Sequence, residues 1–204
     1  MMTLFHSPTS PYVRKVMIVL HETGLIDRVT LTPGNTTPLE PNPALQAANP
    51  LGKVPCLVRD DGPALFDSTV ICRYLDTLHG GHKFYPAGAA EFASLTLESL
   101  ADGMLDAGVM MVYEERFRPA EIRFAPWVEA QKTKILKGID ALEHHWLAHL
   151  AGPVDIGAVA VAAALGWIDL RFSDLGWRDS HPGLAKWHAG FAARDSYKAT
   201  VPVV

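Results

Sequence analysis

Cysteine is scarce in these 204 residues: there are two, Cys56 and Cys72. They form neither a C-x-x-C pair nor a cluster with metal-ligand spacing. That excludes a disulfide scaffold and a zinc module, and it fits reduced thiols in a cytoplasm. Long hydrophobic runs are missing too. Residues 156–168 are apolar all round but fall short of the roughly 20 needed to span a bilayer, so they are expected as a buried central helix. Residues 16–20 are too short for a secretory signal, and they follow Arg14-Lys15 with no cleavage-like flank. A block of one charge sign is also absent. Eighteen Lys and Arg against 22 Asp and Glu give a net charge of −4, which argues against a nucleic-acid binder. There is no internal repeat. What the chain has is a 49% hydrophobic composition, enough for a sizeable core in one large or two small domains.

Periodicity divides the chain. Thr3-Leu4-Phe5 reads as a strand. Val13, Val16, Met17 and Leu20 then mark one apolar helix face, with Ser10 as N-cap, Pro11 at the first helical position and Gly24 at the end. Val29-Thr30-Leu31 is a second strand. Pro33, Pro38, Pro41 and Pro43 surround a short helix. Residues 54–58 form a third strand, Asp60-Asp61-Gly62 a turn, and Ala64-Leu65-Phe66 a returning hairpin partner. Asp67 or Ser68 caps a helix to about residue 78. The order βαβαββα predicts an α/β domain with a mixed sheet over 1–79. Gly, Pro and short side chains make 80–90 a linker. An all-α domain is expected over 91–204, with helices at 91–117 and around Val128, Ile135, Ile139, Leu142 and Trp146. Gly152-Pro153 opens the buried helix with Pro153 first, and Pro182 opens another carrying Leu184, Trp187 and Phe191.

The chemistry concentrates in Asn49-Pro50-Leu51-Gly52-Lys53-Val54-Pro55 and in Asp67-Ser68. Pro55 has no N–H to give a sheet, which suits an edge or a special turn. A cis Val54–Pro55 bond would turn the Val54 backbone groups outward. An extended peptide could pair with them as an added strand. Lys53 would meet a carboxylate, and Asp67-Ser68 at a helix start would hold the peptide's other end. The plainer readings are a strand start at Val54-Pro55, a surface lysine at Lys53 and helix caps at Ser10 and at Asp67-Ser68.

With these residues, the chain resembles the cytosolic glutathione transferases from about Leu4 to Pro202. The Asn-Pro-x-Gly-Lys-Val-Pro motif followed by an acidic residue and Ser carries most of the likeness. Ser-Pro-Tyr-Val-Arg-Lys-Val at 10–16 resembles the serine-type branch, plant tau class and related bacterial enzymes. Ala101-Asp102-Gly103-Met104, Leu165-Gly166-Trp167 and His181-Pro182-Gly183-Leu184 extend it. The resemblance implies a thioredoxin-like first domain, an all-helical second domain and a homodimer. It implies that Ser10 is catalytic, donating a hydrogen bond to the glutathione thiolate beside a helix N-terminus. Ser7 and Thr9 are alternative donors in the same loop, and Thr9 joins Ser10, Lys53, Val54, Pro55, Asp67 and Ser68 in the glutathione-binding set. Val54 would pair with the cysteinyl unit, Lys53 with the glycyl carboxylate, and Asp67 and Ser68 with the γ-glutamyl end.

Three departures from the family pattern matter. Phe5-His6 stands where tyrosine-type relatives carry Tyr. Ser10 stands where cysteine-type relatives carry the thiol needed for disulfide exchange. Gly152 stands where relatives cap the buried helix with Ser or Thr, leaving Asp155 to reach back to the cap. His6 is expected to pack locally. His145 and His149, spaced i, i+4, are expected on a wet helix face, with no metal. The electrophile pocket is expected between the domains, with Met104, Gly108, Met111, Tyr113 and Trp167 as candidate walls; helix core is the plainer reading of Met104 and Met111. A non-catalytic glutathione-binding module and another glutathione-dependent enzyme (isomerase, dehalogenase or peroxidase) stay open beside the transferase.

Overall fold

The computed structural model describes residues 1–202 and divides into two compact units, Met1–Ala87 with Arg194–Val204, and Gly88–Ala193. The last two positions of the expected helical domain, 203 and 204, lie outside the described residues.

The first unit opens with β1 (Met2–His6), α1 (Pro11–Glu22), β2 (Val29–Pro33), α2 (Pro43–Ala48), β3 (Cys56–Val58) and α3 (Ser68–Thr77). Its sheet has the order β2-β1-β3. β1 runs parallel to β2 and antiparallel to β3, with Phe5 opposite Cys56. The expected fourth strand shrinks to one bridge, Leu57 to Leu65, closed by two backbone hydrogen bonds of 2.9 and 2.8 Å. Only three residues separate Pro63 from Asp67, where the chain turns into α3, so no longer ladder can form. β3 begins at Cys56 rather than at residue 54, because Pro55 has no N–H to place in a ladder.

α1 buries Val13, Val16, Ile18, Val19 and Leu20, the apolar face expected from its spacing. The segment expected as a free linker is instead organised by buried Asp76. Its carboxylate accepts from Phe84 N at 2.9 Å and Tyr85 N at 3.2 Å and meets His79 Nε2 at 3.1 Å. Phe84 is buried as a result, and the unit extends to Ala87. The tail also departs from the expected boundary: from Arg194, through α10 (Asp195–Lys198), it groups with the first unit. Arg194 grips the Glu22 carboxylate through two hydrogen bonds of 2.8 and 2.7 Å, and Ser196 Oγ adds a third of 2.5 Å. The Arg194 bonds hold the Glu22 carboxyl below the usual carboxylate range, against the opposing effect of burial.

The second unit is helical throughout: α4 (Ala89–Phe117), α5 (Ala125–Ala141), a π-helical turn over Leu142–Trp146, α6 (Leu147–Leu150), α7 (Ile156–Arg171), α8 (Trp177–Ser180) and α9 (Pro182–Ala192). α7 is buried on all sides through Ile168 save for half-buried Gly166. Its start differs from the expected one. Pro153 precedes the helix, and Asp155 itself is the N-cap, accepting from Ala158 N at 2.9 Å. The same carboxylate takes the Ser94 hydroxyl from α4 and meets His149 Nε2 at 2.7 Å. The cap is thus supplied by the Asp155 carboxylate, with no hydroxyl needed at 152, and Ser94 donates to that carboxylate. Among the described residues no single helix is long and apolar enough to cross a membrane; α7 with the segment Ser173–Ser180 passes that test only as a pair bent by 96°.

Two α4 glycines separate cleanly. A Cβ on Gly108 would lie 2.5 Å from Trp167 Cζ3 and 3.1 Å from Phe172 Cε2, whereas one on Gly103 would meet nothing within 4 Å. Gly108→Ala is expected to lose about 1–2 kcal/mol, because overpacking outweighs the helix-propensity gain. Gly103→Ala, on the exposed face, should gain up to about 1 kcal/mol. Urea denaturation of the two variants checks this pair; equal effects would refute the packing account.

Candidate functional site

Within the first unit, sheet register gathers three segments at one end. β1 leaves the sheet toward Ser10 beside the residues that lead into β3. The Leu57–Leu65 bridge then carries Phe66 and Asp67 back along the other side of β3. Side-chain packing agrees: Val54 and Phe66 both pack on the cluster of Phe5, Leu45 and Cys56. The Ser10 loop, Lys53-Val54-Pro55 and Asp67-Ser68 therefore face one region of the unit.

Ser10 is the N-cap of α1, with φ −79° and ψ 123°. Its Oγ accepts from Val13 N at 3.3 Å, and its own N–H donates to Ser7 O at 3.1 Å. Capping uses a lone pair of the hydroxyl and leaves its single proton to be donated. Pro11 removes one N–H from the first turn, yet the helix end keeps its partial positive charge. Thr9, Ser10 and Ser7 are all half-buried.

The 49–54 loop is shaped by Asn49, which is buried. Its Nδ2 donates to Lys53 O at 2.8 Å and its Oδ1 accepts from Leu51 N at 3.0 Å. Gly52 N donates to the Asn49 carbonyl at 2.8 Å, and Gly52 sits at φ +61°, where a side chain would be strained. Thr36 Oγ1 holds the Gly52 carbonyl at 3.1 Å. The Val54–Pro55 peptide is cis. Among the described residues neither the N–H nor the C=O of Val54 has a backbone partner, so the strand start is open. The Lys53 side chain is exposed.

α3 starts with Asp67 as N-cap, its Oδ1 accepting from Thr69 N at 3.0 Å. Asp67 is exposed and Ser68, the first helical residue, is buried. This end therefore presents a carboxylate next to the donors of a helix N-terminus. Such a pair suits a ligand group carrying both an amine and a carboxylate. Cys56 adds no reactivity, since burial pushes its thiol up to about 11. Both cysteines are free and buried.

The remaining candidates fall in the second unit. Met104 is interior, its sulfur 2.5 Å from where a Cβ on Gly138 would stand. Gly108 lies against buried Trp167, whose ring meets Phe172 edge-on at 5.6 Å between centroids. Met111 is half-buried, and Tyr113 is exposed with its ring 5.2 Å from that of Phe117. His149 is engaged with Asp155 rather than paired with exposed His145. Two residues escaped the sequence reading. Asn49 stands inside the quoted motif, and an asparagine directly before Pro50 and three residues ahead of Gly52 was its available signal. Arg14 gave none, because its partner, Tyr197, lies 183 residues away.

Comparison with known proteins completes the description. Residues 9–78 match the glutathione S-transferase N-terminal domain, and residues 125–190 match the C-terminal domain. The GST-like protein YibF of Escherichia coli K12 is 33% identical over 98% of both chains. Glutathione S-transferase 3 of Zea mays is 30% identical over 98% of this chain and 93% of that one. A crystal structure of a glutathione transferase family member from Pseudomonas fluorescens Pf-5 with bound glutathione is 46% identical, covers 100% of both chains and superposes with a TM-score of 0.98.

Proposed function

The chain belongs to the glutathione S-transferase family, and from that premise we propose that it binds glutathione in the first unit, ionises its thiol beside Ser10 and transfers it to a small apolar electrophile. The observation that carries the reading is the state of Ser10: its oxygen caps α1 through Val13 N, while its proton is left to donate. A thiol of ordinary pKa, about 8.5, is little ionised at neutrality. A hydroxyl donor and a helix N-terminus both favour the anion, which is the nucleophile.

Val54 takes the cysteinyl backbone as an added strand, and Lys53 takes the glycyl carboxylate. Asp67 takes the γ-glutamyl amine, while Ser68 and the α3 N-terminus take its carboxylate. Thr9 and Pro55 shape the walls beside the thiol. Met111 and Tyr113 receive the electrophile, with Met104, Gly108 and Trp167 supporting that surface from the helical interior. Adaptable Met and aromatic walls suit varied apolar substrates. A homodimer follows the family, and two free buried thiols suit a reducing compartment such as the cytoplasm.

Titration of glutathione into the protein, followed by ultraviolet thiolate absorbance, tests the ionisation. A saturable signal is expected at neutral pH; bound glutathione that titrates like the free thiol would overturn the Ser10 role. Asp67→Ala is expected to weaken glutathione about tenfold, and Ser68→Ala somewhat less, because each removes a bond to a charged ligand group. Calorimetric titration distinguishes this from capping alone, which would lower stability and leave affinity unchanged.

A further inference from the structure

Gly34 follows β2 directly, and its N–H donates to the His6 carbonyl at 2.7 Å, which carries the pairing of β1 with β2 one residue further. It is buried, and its φ is not positive, so no left-handed backbone calls for glycine there. What calls for glycine is space. A Cβ at this position would stand 2.6 Å from Val54 Cγ1, 3.3 Å from Phe5 Cβ and 3.4 Å from His6 N. Phe5 and His6 belong to β1, the middle strand of the sheet, and have little room to move. Val54 is the neighbour that must give. Its Cγ1 sits one bond from Cβ on a β-branched side chain of restricted χ1, so relief comes through its backbone.

β2 and β3 flank β1 on opposite sides. Gly34 after β2 and Val54 before β3 meet because the Val54 side chain lies across the end of β1, packed on the cluster of Phe5, Leu45 and Cys56. The same segment touches the loop a second time: Thr36 Oγ1 donates to the Gly52 carbonyl at 3.1 Å, two residues ahead of Val54. Val54 offers one N–H and one C=O that have no backbone partner among the described residues. An antiparallel added strand exchanges two hydrogen bonds with one such residue. Both weaken steeply as distance and angle depart from the ideal, so a displaced Val54 loses both at once.

We propose that Gly34, with Thr36, is a positioning residue for glutathione. The missing side chain at 34 lets Val54 seat against β1, and that seat fixes where the Val54 N–H and C=O meet the cysteinyl unit. Gly34 does not touch the ligand; it acts through Val54. The inference rests on the reading of Val54 as the partner of the cysteinyl backbone.

The test is calorimetric titration of the full chain and its variants with glutathione and with an analogue N-methylated at the cysteinyl nitrogen. The analogue lacks the N–H that the Val54 carbonyl would accept. The parent is expected to prefer glutathione about tenfold. Gly34→Ala should weaken glutathione about tenfold and bring that preference down to about twofold, because the analogue has less to lose. A loss of stability alone would leave the preference of the folded protein unchanged. Added to Val54→Ala, where Cγ1 is gone, Gly34→Ala should cost less than about twofold further. Thr36→Val should lower the preference in the same direction by a smaller factor. A parent that prefers glutathione, with no loss in Gly34→Ala or with the same loss whether or not Val54 Cγ1 is present, overturns the inference and leaves the Val54 reading standing. A parent that binds both ligands equally overturns the Val54 reading and the inference with it. If Gly34→Ala does not fold, Thr36→Val decides, and a preference equal to the parent's there overturns the proposal.

Discussion

Ser10→Ala is expected to slow conjugation about 10²-fold, the usual loss when one preorganised donor to a developing or bound anion is removed. The bound thiol should titrate upward in the same variant, because the hydroxyl proton that stabilised the anion is gone. Ser10 also caps α1 through Val13 N, so a stability loss of about 1 kcal/mol is expected beside the kinetic one. The two effects separate experimentally. Ser10→Asp keeps a capping acceptor and has no proton to donate to the thiolate; it should retain the stability and lose the rate. Ser7→Ala and Thr9→Ala serve as comparators from the same loop. If Thr9→Ala moves the thiol titration and Ser10→Ala does not, the donor is Thr9 and the assignment to Ser10 is wrong.

The largest stability effect is expected at Asp155. One carboxylate caps α7 at Ala158 N, accepts the Ser94 hydroxyl and meets His149. Asp155 is buried. Alanine there removes the cap and leaves the polar partners on α4 and α6 with less than they need. Ser94 keeps a weaker alternative, the Ala90 carbonyl at 3.2 Å. The summed cost is about 2–4 kcal/mol, which in a chain of this length lowers the melting temperature by roughly 5–15 °C. Asp155→Asn retains one acceptor for the cap and should lose about half as much. The cluster lies wholly in the second unit, so glutathione affinity of the folded variant should be unchanged. A melting temperature within a degree of the parent would mean that neighbouring groups or water replace the carboxylate.

The local elements of the proposed glutathione site were legible for the most part because they are short-range. Ser10-Pro11 and Asp67-Ser68 are local capping patterns, and both cap helices where the spacing placed them. Asn49-Pro50-Leu51-Gly52-Lys53 announces a turn, and the turn is there, although the bonds of Asn49 that shape it were not foreseen. The proposed substrate walls were less legible. Met104, Gly108 and Met111 share one α4 face, and periodicity alone does not separate a wall from a core; packing puts Met104 against Gly138 and Gly108 against Trp167.

What the sequence determined by itself was therefore the set of local elements: α1 with its serine cap, the turn that leads into β3, α3 with its acidic cap and the buried α7. Each depends on neighbours within a few residues, so backbone preference and apolar period suffice. Tertiary structure alone decided the rest. It reduced the fourth strand to the Leu57–Leu65 bridge, joined Asp155 to Ser94 across 61 residues, and tied α1 to the tail through Glu22 with Arg194 and Arg14 with Tyr197 across 172 and 183 residues. The reason is that buried polar groups must find partners wherever packing puts them. A serine, a glutamate or an arginine carries no sign in its own neighbourhood of the distant element that will satisfy it.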